Sequence, residues 1–359
     1  MSILYPNWLC RFIRRHKNKF VFAGVFVGSV YGVIKFAEYK IKNHLKDEQK
    51  RVADEMKYQR NFELVQEHSL SISEAMLENI YQKVKEVANT EEITEKLKSG
   101  SGDKMLLWNE LKITVFCRIA TGMFTVTLVS LVHRVQMNQI AGLMFHSRDL
   151  DDSIDPRQQR FFSVTHDHLM NHGIHDLAVY IKELVKDIVG TMPLQCLVKP
   201  SGIENTIESI YSRLTLNTHD PTGIVSGFKV VNVVFPEITS FDDWAIVQPT
   251  ILDDIESWST RTVDVLDSPD FKEVLLQCVK RGVKILGQEL NSAVNQIAAT
   301  KDEVDLTDFN EVSLPLAKLL PLINGTLTSI CSSAFLHDFS SIPIINKFSL
   351  NVYESFLCD

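Results

Sequence analysis

Catalytic signatures are missing from this 359-residue sequence. It holds no Walker loop, no dinucleotide-binding glycine fingerprint, no H-E-x-x-H pair and no nucleophile elbow. The local patterns that cradle phosphates, hold a catalytic zinc or activate a serine are therefore not there. A basic excess is missing as well. The formal net charge of −8 argues against nucleic acid, whose phosphates require a basic face. The six cysteines (Cys10, Cys117, Cys196, Cys278, Cys331, Cys358) include no C-x-x-C pair and no framework spacing. Such usage suits a reducing compartment and thiols that act as small hydrophobes. Glycine (15) and proline (11) are too few for a low-complexity chain, and 45% hydrophobic residues is a globular share. The reading is of a protein that is not an enzyme, with no catalytic residue, no metal, no cofactor and no small-molecule substrate.

What is there begins with an uneven charge. Arg11, Arg14, Arg15, Lys17 and Lys19 crowd the first 19 residues, which carry no acid. Fifteen uncharged residues follow, Phe20 to Ile34. As a helix they cover about 22 Å, short of the roughly 30 Å hydrocarbon core. Lys19 and Lys35 can snorkel, and Phe36 and Ala37 extend the apolar character, which brings the segment to a marginal span. A secretory signal is the rival, but no small-residue cleavage site follows. Residues 1–19 are thus a basic segment, 20–37 a transmembrane anchor, and 38–359 one domain. A second apolar run, Ile119 to Val132, sits among amphipathic helices and reads as the central buried helix of a soluble bundle.

Elsewhere helical periodicity dominates. Ser71 and Glu74 have the spacing of a capping box that would open a helix bearing Met76, Leu77, Ile80, Val84 and Val87. Ser99 to Asp103 breaks the pattern, and Asp103 can cap the next helix. A helix is expected from Phe161 to about Val189, and another from Ser268 as N-cap with Pro269 in its first turn. Residues 214–249 are irregular, with Phe228 to Phe235 the one β-rich run. The fold class is all-α: an elongated bundle of long helices preceded by one N-terminal transmembrane helix.

Two constellations could carry function. His166, His168, His172 and His175 cluster, the last three at i, i+4 and i+7, but Gly173 weakens that helix and no companion ligand stands out. They read as a polar, solvated helix end. Lys104, Trp108 and Leu111 share a helical face just after the Ser/Gly turn, and Thr94, Leu97 and Lys98 end the helix before it. Two helices so joined can form a groove with an aromatic anchor, a leucine floor and a lysine rim. That format receives an amphipathic helix with acidic flanks. Trp108 as a plain core residue fits the spacing equally well.

The chain resembles the peroxin-3 family. The resemblance is carried by RFIRRHKNKF, VYGVIKF, LLWNELKITVFCR, HRVQMNQIAGLMF, LDSPDF with CVKRG, VSLPLAKLLPLING and NVYESF, in family order. It is weaker between about His146 and Pro249. It implies a protein of peroxisome biogenesis, held in the peroxisomal membrane by a single pass in contact with its lipids, with the bulk of the chain in the cytosol. Arg11, Arg14, Arg15, Lys17 and Lys19 would then serve targeting. It further implies a docking receptor for peroxin-19, the chaperone of newly made peroxisomal membrane proteins. Trp108, Leu111, Leu97, Lys98 and Lys104 would receive that partner's N-terminal amphipathic helix, joined by Thr94, Asn138 and Lys318.

Overall fold

The computed structural model describes residues 17–144, 156–215, 228–235, 249–299 and 312–357. Arg11, Arg14 and Arg15 lie outside these, as does most of the irregular stretch 214–249. The chain divides into two compact units, residues 1–61 and 62–359. In the first unit the described residues belong to one helix, α1 (Lys17–Val87), which continues into the second. The anchor segment is helical within α1, and the backbone of Lys17 and Lys19 opens it.

The second unit is all-α. After α1 come α2 (Thr90–Ser99), α3 (Lys104–Met144), α4 (Pro156–His168), α5 (Ile174–Val189), α6 (Pro200–Thr215), α7 (Val230–Val234), α8 (Pro249–Asp267) and α9 (Pro269–Ala299). The series closes with α10 (Leu316–Gly325), α11 (Leu327–Ile330), α12 (Ser333–Ser340) and α13 (Pro343–Leu357). Among the described residues, strand structure is confined to β1 (Leu197–Val198) paired antiparallel with β2 (Leu314–Pro315).

The bundle is built around α3. Every residue from Ile119 to Val132 is buried, so the apolar run is the central helix that its amphipathic neighbours imply. Helices α5, α13, α10 and α9 surround it. Several of its buried polar groups are tied off across the core, as burial demands. Lys112 donates to the carbonyls of Gly190 and Met192 at the end of α5, at 3.1 and 2.6 Å. Gln139 donates to Trp258 O and accepts from the Thr262 hydroxyl of α8.

Three local readings are corrected. Ser71 opens no helix: it is an exposed interior position of α1, where a capping side chain has no free N–H to accept. Residues 230–234 of the β-rich run form one helical turn rather than a strand. No neighbouring strand offers it a ladder among the described residues, so its polar backbone is satisfied locally and by a side chain. Phe235 N–H donates to Val231 O at 2.8 Å, and the His168 ring Nε2 meets Asn232 O at 2.9 Å. The helix expected from Phe161 begins earlier, at Pro156, and carries a π-turn at Leu169–Gly173. The cap at Ser268 is as read: its hydroxyl accepts from Phe271 N–H at 3.2 Å.

Candidate functional site

The α2–α3 hairpin owes its shape to its caps. Asn89 accepts from Glu92 N–H at 3.0 Å and starts α2. Gly100, at φ 71°, ends it in the left-handed region, where a residue with a Cβ is strained. Asp103 then accepts from Met105 N–H at 2.8 Å and starts α3. Because the two helices return alongside each other, Thr90, Thr94, Leu97 and Lys98 of α2 face Lys104, Trp108, Leu111 and Val115 of α3. Helix α10 supplies the third wall with Leu320, Pro321 and Asn324. These eleven residues line a cavity of about 560 Å³.

Its gradient of burial follows from where each side chain sits. Leu111 and Val115 are buried in the floor, Leu97 and Trp108 are half-buried in the walls, and Lys98 and Lys104 stand exposed at the rim. Trp108 packs on the core from one side and lines the cavity with the other. Met105 and Leu106, at the tip of the hairpin, are 74% and 67% exposed.

Beneath the groove lies Arg118, at 2% exposure on α3. Its guanidinium donates to Ala88 O (2.7 Å) and Lys85 O (3.4 Å) at the end of α1. It also donates to both carboxylate oxygens of Glu91 in the first turn of α2 and to Asn324 Oδ1 of α10. One side chain thus joins the three elements that meet at the groove. The bond from Arg118 holds the Glu91 carboxyl down at about 2. Helix α10 is fixed from its other end, where Leu316 and Ala317 N–H groups donate to Cys196 O and Leu194 O.

Of the residues expected to form a groove, Thr94, Leu97, Lys98, Lys104, Trp108 and Leu111 come together around this cavity. Asn138 does not. It lies 30 residues beyond Trp108 on the same helix, roughly 45 Å away. There it is fully buried, donating to Arg134 O at 2.7 Å and accepting from Gln66 at 2.9 Å. Lys318 is exposed on α10, three residues before Pro321, and is not part of the cavity wall. Thr90, Val115, Leu320, Pro321 and Asn324 were not singled out from the sequence. Thr90 and Val115 continue the periodicities of Thr94–Leu97 and Trp108–Leu111. The α10 residues gave no signal, since only the fold brings that segment across.

The histidines are dispersed by the π-turn, whose extra residue rotates His172 and His175 relative to His168. His168 and His172 remain neighbours, with ring centroids 5.7 Å apart, while His172 and His175 are exposed. Burial pushes the His168 pKa below its usual value. Among the described residues, no three His, Cys, Asp or Glu side chains converge on a metal-sized site. Gly173 has a packing role here. A Cβ on it would fall 1.9 Å from Val233 O, so glycine is what allows α7 to close on the π-turn.

The fold and the cavity define a helical scaffold with an open, apolar, lysine-rimmed groove. The Peroxin-3 family model matches residues 148–355, more than half of the chain. The chain belongs to the Peroxin-3 family. That match includes the stretch 148–249, where the motif resemblance is weakest. Peroxisomal biogenesis factor 3 of Cricetulus longicaudatus is 28% identical over 96% of both chains, and that of Homo sapiens is 26% identical over 96% of both. Peroxisome biogenesis protein 3-1 of Arabidopsis thaliana is 24% identical over 78% of this chain and 77% of its own. Membership supports a role in peroxisome biogenesis and an association with the peroxisome.

Proposed function

We propose that this chain is a membrane-anchored docking receptor for peroxin-19 and that the groove between α2, α3 and α10 receives that partner's amphipathic helix. The observation that carries the reading is the division of Trp108. Its indole is half-buried in the wall of a 560 Å³ cavity whose floor is leucine and valine and whose rim is lysine. An apolar helix face fits the floor, and acidic flanks fit Lys98 and Lys104, as in helix-in-groove recognition. The anchor at 20–37 would hold the receptor in the peroxisomal membrane by a single pass, with the helical domain in the cytosol. The chain then acts by binding and not by catalysis.

The test is Trp108→Ala, with affinity and melting temperature measured on one variant. An aromatic anchor at an interface costs about 2–4 kcal/mol on truncation, which is roughly 30- to 1000-fold in affinity. The melting temperature should stay near that of the unaltered protein. Normal binding by the variant, or binding lost only in step with folding, would sink the proposal.

A further inference from the structure

The groove is not uniformly apolar. At one end Thr90 and Asn324 face each other, and at the other stand Lys98 and Lys104. Thr90 and Lys98 are eight residues apart on α2, so the two ends lie about 12 Å from each other. That is a little over two turns of a docked helix.

Asn324 can present either end of its amide, but its surroundings permit only one. Arg118 carries donors and no acceptor. Its Nη1 points at Asn324 Oδ1 from 3.3 Å, and the Thr90 hydroxyl lies 3.4 Å from that oxygen and equally far from Glu91 Oε2, with one proton to give to either. Arg118 cannot swing away, because Ala88 O and the Glu91 carboxylate hold it from other sides. The amide oxygen is therefore turned inward, and the NH₂ group is left over. Among the described residues nothing accepts from it, although Asn324 lines the cavity. The neighbouring Thr94 hydroxyl spends its own proton on Thr90 O at 2.7 Å.

We infer that Asn324 is an orientation-locked hydrogen-bond donor inside the groove, selecting a helix that carries an acceptor side chain seven or eight positions from its acidic flank residue. This rests on the docking reading above. The required acceptor is Glu, Asp, Gln or Ser on the face turned toward α10. A Lys or Arg there would oppose a donor with a donor and leave both unpaired.

The experiment uses the full chain in detergent and a synthetic peptide of the peroxin-19 amphipathic helix. Asn324→Asp keeps an oxygen for Arg118 and removes the donor, so the peptide should bind about ten-fold more weakly while the melting temperature holds. On the peptide side, replacing each polar residue singly by alanine should identify one position that costs about ten-fold against the unaltered protein. The same replacement should cost little against Asn324→Asp, because the two changes remove one bond. If Asn324→Asp binds normally while Trp108→Ala does not, the donor inference is wrong and the docking reading stands. If neither variant loses binding, the docking reading has failed and takes this one with it. Should Asn324→Asp fold poorly, the peptide scan against the unaltered protein decides. A scan in which no polar position costs affinity overturns the inference.

Discussion

Residues at the rim and the floor of the groove should separate by the kind of effect they have. Lys98 and Lys104 are exposed, so Lys98→Glu and Lys104→Glu should chiefly slow association and change its salt dependence. Stopped-flow association rates across a salt series would show this, and a change confined to dissociation would contradict it. Leu111 is buried, so Leu111→Ala should lower both affinity and melting temperature. His133 gives a separate prediction about pH. Ser73 spends its hydroxyl proton on Ser69 O, which leaves the His133 Nδ1–H to donate to Ser73 Oγ at 2.9 Å. Burial first, and nearby His166 second, push the His133 pKa down to about 4. The folded state therefore resists a proton that the unfolded chain accepts below about 6.5. Stability should be full above pH 6.5 and fall as the pH drops to about 4, by about 3 kcal/mol in all. Denaturant melts of the protein and of His133→Gln would check it, and an unchanged slope in the variant would refute it. Legibility differed sharply at this scale. Trp108, Leu111 and Lys104 were visible because one helix face gathers them. Arg118 gives no such signal, since its partners come from α1, α2 and α10.

At the scale of elements, the misreadings share a cause. Local patterns such as Ser71-x-x-Glu74 and Phe228–Phe235 describe what a segment could do alone, and tertiary context decided otherwise. The capping box is overruled because α1 already runs through it. Ser71→Ala therefore removes no cap, and its effect should stay within about 0.5 kcal/mol where a true N-cap would cost about 1. Equilibrium unfolding in urea resolves the difference, and a loss near 1 kcal/mol would restore the cap. Conversely, the break at Asn89 was available in the sequence, as an asparagine ahead of Thr90-Glu91-Glu92. It was masked by continuous helical periodicity on both sides. Helix α10, with Pro321 inside it, could be read as a helix, and only the family resemblance, through Lys318, set any of it at the groove. No periodicity reveals that it lies across α2 and α3, and only chain folding supplies that distance.

For the molecule as a whole, the length and composition of the apolar runs were readable, but the difference between them was contextual. Ile119–Val132 and Phe20–Ile34 are nearly equal in length, and what marks the first as core is that every one of its residues is buried within the second unit. A fragment from about residue 45 onward should accordingly be monodisperse and helical without detergent. Size exclusion with circular dichroism tests this, and aggregation of every such fragment would argue that α3 belongs in a bilayer. Residues 1–45 fused to a fluorescent protein should reach peroxisomes and resist carbonate extraction, whereas release by carbonate would leave only peripheral attachment. The enclosure of α3 also sets a clock. Its partner α13 begins about 200 residues of chain after α3 ends. At roughly 5–20 residues per second, translation leaves α3 uncovered by that helix for about 10–40 seconds. Until then one flank of α3, a helix long and apolar enough to cross a membrane, lacks its cover, so completing the bundle competes with entry into the wrong membrane.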